Sequence, residues 1–568
     1  MKGIVFMIIA IVALGAAYIF YGGYLCKKWG IDPKKKTPAF EYEDGVDYVP
    51  TDTQVVFGHQ FASIAGAGPI SGPILAAAFG WLPVLLWILV GGIFFGAVQD
   101  FSAMYASVKN KGRTIGYIIE KYIGKTGKVL FLVFCWLFCI LVIAAFADVV
   151  ASTFVSNSGV AANDSANGSV ATTSSLFILE AVALGFFLKY SKFNKWVNTA
   201  VALGMLVVGI VVGLNVPMLG ISVSTWHIIV FGYIFIASIV PMWALLQPRD
   251  YLNSYLLIIM IVAAVVGIFV ANPDVNLEAF TGFYVDGMGY MFPILFVTIA
   301  CGAVSGFHSL VSSGTSSKQI KNEKHMLPVS YGSMLLESLL AVISLIVVAS
   351  FVGGASGAAA DYGYTTPSLV FAGGVANFVS TLGIPHAIVF TIINLAVSAF
   401  ALTSLDSVAR IGRLSFQELF LTADITDENM EGWRKVLTNK YFATIITLVL
   451  AYLLAKAGYS NIWPLFGSAN QLLSALALIA CAVFFKKTNR EGRMLWIPMF
   501  IMLSVTLTAL TISIKTKITA LVLGTSASIG GDALQLSFAI ALFVLGVIVA
   551  VSGCKALFSK EKIEKVAE

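Results

Sequence analysis

Two apolar stretches of the chain are interrupted by helix breakers where a membrane helix should be most regular. The first reads His59-Gln-Phe-Ala-Ser-Ile-Ala-Gly-Ala-Gly-Pro-Ile-Ser-Gly-Pro73, and the second reads Thr298-Ile-Ala-Cys-Gly-Ala-Val-Ser-Gly-Phe-His308. Hydrocarbon offers no water to free backbone groups, so an unwound stretch persists only where it faces protein or a polar cavity. Paired interruptions in the two halves of a chain therefore indicate a binding site near the middle of a membrane.

The composition agrees with a membrane protein. Of the 568 residues, 58% are hydrophobic and 11% are charged, a balance unlike that of soluble domains. Apolar runs of roughly 17 to 25 residues predict an all-α polytopic protein with about fifteen transmembrane helices. These begin near Ile4, Phe57, Val84, Val129, Leu176, Val197, Ile228, Tyr251, Met291, Val329, Ala387, Tyr441, Leu465, Leu495 and Leu534.

The basic residues predict the orientation. The net charge is +6, and the Lys and Arg residues cluster in alternate loops between apolar runs. We expect these clusters to anchor the protein to one face of the lipid bilayer, and we expect no nucleic-acid partner. If these basic loops are cytoplasmic and successive helices cross the membrane in alternate directions, the N-terminus lies outside and the C-terminus lies in the cytoplasm. Lys456, Lys515 and Lys517 are exceptions near predicted outer ends.

Three matches between the halves indicate an inverted repeat. Gly68-Pro-Ile-Ser-Gly72 pairs with Gly302-Ala-Val-Ser-Gly306, and each lies on a helix of opposite predicted direction. The segments that begin at Trp243 and Trp463 form a second, longer pair, and those that begin at Asp148 and Asp406 form a third, weaker pair in the same order. We therefore predict four parts: residues 1–55, an extra helix and basic cytoplasmic loop; 56–271, a first repeat with two inserted helices; 290–485, a second repeat; and 494–568, two further helices with a cytoplasmic tail. An interrupted first helix in each five-helix unit is the 5+5 arrangement of leucine-transporter-type (APC-type) symporters, an analogy of fold.

The interruptions supply the candidate substrate site. Glycine and proline leave free carbonyls before each break and helix N-terminal amides after it, which suit a carboxylate. The substrate-binding candidates are His59, Gln60, Ser63, Gly66, Gly68, Pro69, Ser71, Gly72, Gly302, Ser305, Gly306 and His308. The alternatives are kinks that permit close helix packing and histidines that act as neutral hydrogen-bonding partners.

Acidic residues within apolar spans are the proton-coupling candidates, because a carboxylate there is costly unless its surroundings are polar. They are Asp100, Asp148, Glu337 and Asp406. Structural salt bridges are the alternative. For Asp406 the four-residue spacing to Arg410 favours a helix-surface ion pair.

Three other features point to conformational control. Arg249 and Asp250 follow Gln247-Pro248 and form either an inner gate or a capped helix start. Thr403 and Ser404, with carbonyls near Ala62 and Ala65, match the place where the leucine-transporter-type fold holds sodium, although helix hydroxyls also bond to their own backbone. The glycine-rich loop Gly353 to Pro385 is expected to fold back as a lid.

Five motifs together resemble the carbon starvation protein A (CstA) family of membrane transporters. They are Gly58 to Pro69, Leu245 to Leu252, Ile299 to His308, Phe400 to Asp406 and Trp463 to Leu472. The resemblance implies a bacterial or archaeal inner-membrane importer of scarce nutrients, with some members linked to peptides and others to proton-coupled pyruvate uptake.

We therefore expect a secondary transporter that imports pyruvate or a short peptide with protons by alternating access. A sodium-coupled symporter, a nutrient sensor that binds the same carboxylate without transport, and a channel are the alternatives. No enzyme motif is complete: Gly124-Lys-Thr126 lacks the upstream glycine of a phosphate loop. We expect no enzyme activity, no metal and no cofactor beyond co-transported H+ (or Na+), and the sequence leaves the oligomeric state open.

Overall fold

A computed structural model describes residues 2–45, 48–156, 161–190, 193–241, 244–357, 359, 363–364, 366–420, 432–456, 458–526 and 528–559. Within these ranges the chain is all-α except for one hairpin, β1 (Tyr284–Val285) with β2 (Gly289–Tyr290). The helices are α1 (Gly3–Trp29), α2 (Thr53–Ile64), α3 (Gly68–Ala76), α4 (Trp81–Lys109), α5 (Ile115–Tyr122), α6 (Lys125–Phe154), α7 (Ala161–Tyr190), α8 (Lys195–Asn215), α9 (Val223–Ile239), α10 (Leu246–Ala271), α11 (Met291–Thr298), α12 (Gly306–Gly314), α13 (Glu323–Ser350), α14 (Pro367–Ser380), α15 (His386–Phe420), α16 (Gly432–Thr438), α17 (Lys440–Ala455), α18 (Tyr459–Lys487), α19 (Trp496–Val522) and α20 (Ile529–Phe558).

The predicted fold class is confirmed: each of the fifteen predicted segments contains helix. In the described part of the chain, 11 helices are long and apolar enough to cross a membrane, or up to 13 if each bent pair counts as one span. The prediction of about fifteen is higher because it also includes the shorter helix α9 and the divided pair α11 and α12. Trp243, which begins one of the repeat matches, lies outside the described residues.

Helix α7 begins at Ala161, well before its predicted start at Leu176. The hydroxyls of Thr172 and Thr173 donate to carbonyls one turn earlier in the same helix, at 3.0 and 2.8 Å. This bonding hides polar groups from the surroundings. A hydropathy count therefore places the start of this helix too late.

Both predicted interruptions are present. α2 ends at Ile64 and α3 begins at Gly68, and the two helices meet at an angle of 42°. Pro69 lies in the first turn of α3, where its missing N–H has no intrahelical acceptor to lose. α11 ends at Thr298 and α12 begins at Gly306, so the second interruption spans residues 299–305.

The predicted lid is a helix. Within the loop Gly353 to Pro385, α14 is almost wholly buried and packs on α3, α10, α13 and α15. Thr366 caps it by accepting the Leu369 N–H through its hydroxyl. The centre of the molecule is formed by α6, α15 and α18, whereas α7 and α8 pack side by side.

Candidate functional site

The two interruptions lie directly against each other. A Cβ placed on Gly68 would be 2.4 Å from Cys301 Sγ, and one on Gly72 would be 2.7 Å from the Thr298 carbonyl oxygen. A Cβ placed on Gly302 would be 3.6 Å from Pro69 Cα, its nearest atom in the first interruption. These glycines allow the two backbones to approach closely, and in this conformation they leave no room for a ligand between them.

Side chains from neighbouring helices form hydrogen bonds with polar groups of the second interruption. Gln99 on α4 donates to the Ser305 carbonyl at 2.7 Å. Asn470 on α18 accepts the Phe307 N–H at 3.1 Å and exchanges hydrogen bonds with the Ser305 hydroxyl at 3.0 and 3.2 Å. Gln99 in turn accepts from Ser474. Gly306 packs on α18 at this point, since an added Cβ would lie 2.4 Å from the Ser474 nitrogen.

Gln99 and Asn470 were not among the sequence candidates. A signal was available, because each is an uncharged amide within an otherwise apolar helix and Asn470 lies inside a family motif. Such a residue inside a membrane usually has a partner to satisfy. The sequence did not show that the partner is an unwound backbone.

The first interruption keeps unused polar groups. The hydroxyls of Ser63 and Ser71 are buried and have no hydrogen-bond partner among the described residues. Ser404 donates to the Ser63 carbonyl at 3.2 Å. One turn earlier, Gln60 bonds the hydroxyls of two serines beyond the second interruption, Ser312 at 2.9 Å and Ser316 at 2.6 Å.

Of the residues predicted to hold a sodium ion, Ser404 lies against the first interruption and Thr403 does not. Ala62 and Ala65 are fully buried, and Ser404 lies at the first interruption. A Cβ on Gly66 would be 2.7 Å from the Ser404 hydroxyl. Thr403 instead donates to the carbonyl of Ala399 in its own helix at 3.0 Å and accepts from Asn253 at 2.8 Å.

Three of the predicted residues form one buried acidic cluster. His308 on α12 places Nδ1 3.1 Å from Asp100 Oδ2 on α4 and Nε2 3.3 Å from Glu337 Oε2 on α13. All three side chains are 0% exposed. Asp100 Oδ1 and both Glu337 oxygens have no hydrogen-bond partner in the described part of the chain.

Burial makes negative charge in this cluster costly. Two carboxylates with a neutral imidazole carry two negative charges, and buried charge of that kind is strongly disfavoured. Each proton that the cluster binds removes one of these charges. Within the described ranges, no group of three or more His, Cys, Asp or Glu side chains is arranged to hold a metal ion.

The predicted ion pair between Asp406 and Arg410 is wrong. Asp406 pairs with Arg249 of α10 and also accepts from the Tyr233 hydroxyl at 2.7 Å. Arg410 donates to the carbonyls of Ala237 and Val240, at 3.1 and 2.6 Å. The four-residue spacing puts Asp406 and Arg410 on one helix face, but the carbonyls at the end of α9 attract the guanidinium more closely.

The predicted gate residues lie inside the protein rather than at a surface turn. Arg249 and Asp250 are 2% and 3% exposed and lie near the start of α10. Asp250 Oδ2 is 3.3 Å from His59 Nδ1 on α2. Asp148, the remaining proton candidate, is 3.0 Å from His227 and forms a separate pair between α6 and α9.

A cavity of about 230 Å³ extends from Ser63 along the side of α2 that carries His59. Its walls come from α2, α12 and α15, with the segment that follows α12. The lining residues are His59, Ser63, Leu246, Val311, Gly314, Thr315, Lys318, Gln319, Ser407, Arg410, Ile411, Arg413 and Leu414. Of the predicted substrate-binding residues, His59 and Ser63 face this cavity.

Comparison with known proteins gives relatives along most of the chain. It is 33% identical to "Peptide transporter CstA" of Escherichia coli (strain K12), over 85% of this chain and 76% of that protein. It is 32% identical to "Pyruvate/proton symporter BtsT" of the same organism, over 85% and 77%. It is 31% identical to "Peptide transporter CstA" of Bacillus subtilis (strain 168), over 87% of each.

Two solved structures resemble the fold at low sequence identity. The Eremococcus coleocola manganese transporter in complex with an aromatic bis-isothiourea substituted compound has 12% identity and a TM-score of 0.49, over 90% of this chain and 97% of that one. MhsT in complex with L-phenylalanine has 13% identity and a TM-score of 0.48, over 89% and 99%. A family profile described as "Carbon starvation protein CstA" matches residues 2–359 and 352–509. The chain therefore belongs to the carbon starvation protein CstA family.

Proposed function

We propose that the protein is a secondary active transporter that couples uptake of a small carboxylate to protons by alternating access in the cytoplasmic membrane. The observation that carries this proposal is the buried cluster of Asp100, His308 and Glu337 beside the second interruption. Relatives named as a pyruvate/proton symporter and as peptide transporters support transport. The basic loops support an outside N-terminus and a cavity on the cytoplasmic side.

The cluster has a direct mechanical link to the interrupted helix. His308 belongs to α12, which starts two residues earlier at Gly306, and Gln99 next to Asp100 bonds the Ser305 carbonyl. When the cluster loses a proton, its buried negative charge needs water or a cation. Movement of α4 or α12 to admit water therefore also moves the second interruption, so that the protonation state and the shape of the site change together.

The cavity supports a small anionic cargo. Its lining includes Lys318, Arg410 and Arg413 and no acidic side chain from the described residues. Its volume of about 230 Å³ is below the roughly 300–1,000 Å³ typical of pockets for drug-sized ligands. This volume favours a three-carbon acid such as pyruvate over a peptide with bulky side chains.

Uptake into proteoliposomes tests the proposal. The wild type should accumulate labelled pyruvate when the lumen is alkaline, and Glu337→Gln should lose this accumulation while it still exchanges pyruvate across the membrane. Exchange survives because Gln mimics a permanently protonated carboxyl group and the cargo contacts remain. Glu180→Gln is the matched control, since Glu180 lies on the inserted helix α7, away from both interruptions.

Each alternative gives a different result. Binding of pyruvate without accumulation would indicate a sensor, and flux that only equilibrates pyruvate would indicate a channel. Accumulation driven by a sodium gradient alone, unchanged in Glu337→Gln, would contradict proton coupling through the cluster. Accumulation of a dipeptide but not of pyruvate would support the transport mechanism and contradict pyruvate as the cargo.

A further inference from the structure

A stripe of polar residues follows α15 from the first interruption into the cavity. Ser404, Ser407, Arg410 and Arg413 succeed one another at three-residue spacing, which shifts each about 60° around the helix from the one before, so the stripe winds around α15. Nine residues separate Ser404 from Arg413, a length of roughly 13 Å at 1.5 Å rise per residue. Ser404 contacts the first interruption, and the other three line the cavity.

Arg413 has an unusual environment on this stripe. It is 9% exposed and its Nη1 donates to the Ser238 carbonyl at 2.5 Å. Its buried Nε has no hydrogen-bond partner among the described residues, and no acidic side chain of that part of the chain shares the cavity lining. Buried charges are normally paired, so a guanidinium in this state is ready to accept an anion.

We infer that the cavity is a carboxylate-binding site, at which Arg413 holds the cargo between the interrupted helices and the cytoplasm. The inference rests on the proposed function for the identity of the cargo and adds a distinct place on its route. The guanidinium binds the carboxylate through two N–H groups, as this planar donor fork commonly does. Thr315 lies in the same lining, and its hydroxyl can bond a second oxygen of the cargo.

This site gives the exit path a defined order. An anion that leaves Ser63 at the top of the cavity passes from hydroxyl groups to increasing positive charge along α15. Side chains of one sign in a confined, low-dielectric space raise the local concentration of the opposite ion. Arg413 therefore attracts the cargo away from the interruptions. Carboxylate already present in the cytoplasm can also bind in the cavity, where it slows release of further cargo.

Thiol labelling tests the site without any measurement of transport. The variant Ser407→Cys places a thiol in the cavity, and inside-out vesicles expose the predicted cytoplasmic face. Rates of reaction with an anionic and a cationic methanethiosulfonate reagent are normalised to those of a small free thiol. We expect the anionic reagent to be favoured by roughly tenfold and pyruvate to slow labelling. The parent protein without Ser407→Cys gives the background from its own cysteines.

Three further variants separate charge from structure. Added to Ser407→Cys, Arg413→Gln should abolish both the anion preference and the protection by pyruvate, whereas Arg413→Lys should keep most of the preference. Arg493→Gln removes a charge from an exposed side chain elsewhere and should change neither. Monodisperse elution of each variant from a sizing column shows that it is folded.

The possible outcomes are distinct from those of the uptake experiment. Equal reaction with both reagents, a preference that survives Arg413→Gln, or no labelling from the cytoplasmic face would each overturn the inference. Anion preference with pyruvate protection, in a protein that does not accumulate pyruvate, would keep this site and reject the proposed transport. Protection by acetate but not by pyruvate would show a carboxylate site that excludes the proposed cargo and would contradict its place on the route.

Discussion

Arg249 and Asp406 form a buried ion pair that joins α10 to α15, although 157 residues separate them in the chain. The Tyr233 hydroxyl bonds the same carboxylate, and Asp250 beside Arg249 lies close to His59 of α2. The pair therefore connects the last helix of the first predicted repeat, a helix of the second, and the helix that leads into the first interruption. It is placed to hold these helices together in the observed conformation.

Removal of one partner of this pair should strongly destabilise the protein. Asp406→Asn breaks the closest ion pair of the buried Arg249 and leaves it only Asp250, whose Oδ1 is 3.5 Å from Nη2, so the cost should approach about 3–5 kcal/mol. Thermal unfolding in detergent should show a large fall in Tm. The triple variant Arg249→Met, Asp406→Leu and Tyr233→Phe removes the pair and its hydroxyl partner but leaves Asp250 with only His59, so it should recover part of the loss.

The exposed pair Lys2 and Asp274 is a control for this prediction. Their side chains are 48% and 66% exposed, and solvent screens such a pair. Lys2→Met should leave Tm almost unchanged. An Asp406→Asn protein as stable as the Lys2→Met protein would contradict the structural role of the buried pair.

Gly68→Ala should disrupt the contact between the two interruptions. The new methyl group would lie 2.4 Å from Cys301 Sγ, and overpacking of this kind costs about 1–3 kcal/mol. We expect a lower Tm and reduced uptake, with partial recovery in Gly68→Ala combined with Cys301→Gly. Gly232→Ala, where no atom lies within 4 Å of the added Cβ, should be harmless. A fully active Gly68→Ala protein that keeps the wild-type Tm would show that the close approach is not required.

Asn470→Leu should release the second interruption. It leaves the Phe307 N–H and the Ser305 hydroxyl without their partner, and each orphaned buried group costs about 1–3 kcal/mol. Uptake and Tm should both fall. Ser468→Ala on the same helix removes only a hydroxyl that bonds back to the Pro464 carbonyl, so it serves as the matched control.

A reversible crosslink should show whether α14 moves. A Cβ on Gly267 of α10 would be 3.1 Å from Phe378 Cβ on α14, a little below the roughly 3.5–4.5 Å found across disulfides, so a small shift of the two helices permits the bond. Oxidation of the double variant Gly267→Cys and Phe378→Cys should stop uptake, and reduction should restore it. Each single variant controls for the substitution itself. Full uptake by the oxidised double variant would rule out movement of the lid against α10.

The sequence predicted local backbone features far better than partners. Glycine and proline mark both interruptions, because their effect on a helix depends on the residue itself. Asp406 shows the limit: Arg410 is one turn away, yet the carboxylate pairs with Arg249. Helical periodicity states which residues share a face, but not which distant helix packs against that face.

The acidic cluster shows the same limit. Asp100, His308 and Glu337 each stood out as a polar group within an apolar helix, which is costly by itself and therefore visible in the sequence. That all three meet depends on how α4, α12 and α13 pack, and no local pattern contains this information. Gln99 and Asn470 were missed because an uncharged amide in a membrane helix is less costly and stands out less.

The two interruptions differ in how completely their polar groups are matched. Amides from α4 and α18 bond the Ser305 carbonyl, the Ser305 hydroxyl and the Phe307 N–H of the second, so reshaping it would break several hydrogen bonds at once. At the first, the hydroxyls of Ser63 and Ser71 have no partner among the described residues, and the Ser63 carbonyl accepts one side-chain bond, from Ser404. The α2–α3 joint can therefore change shape with a smaller enthalpic loss than the second interruption, whose rearrangement needs the helices around it to move as well.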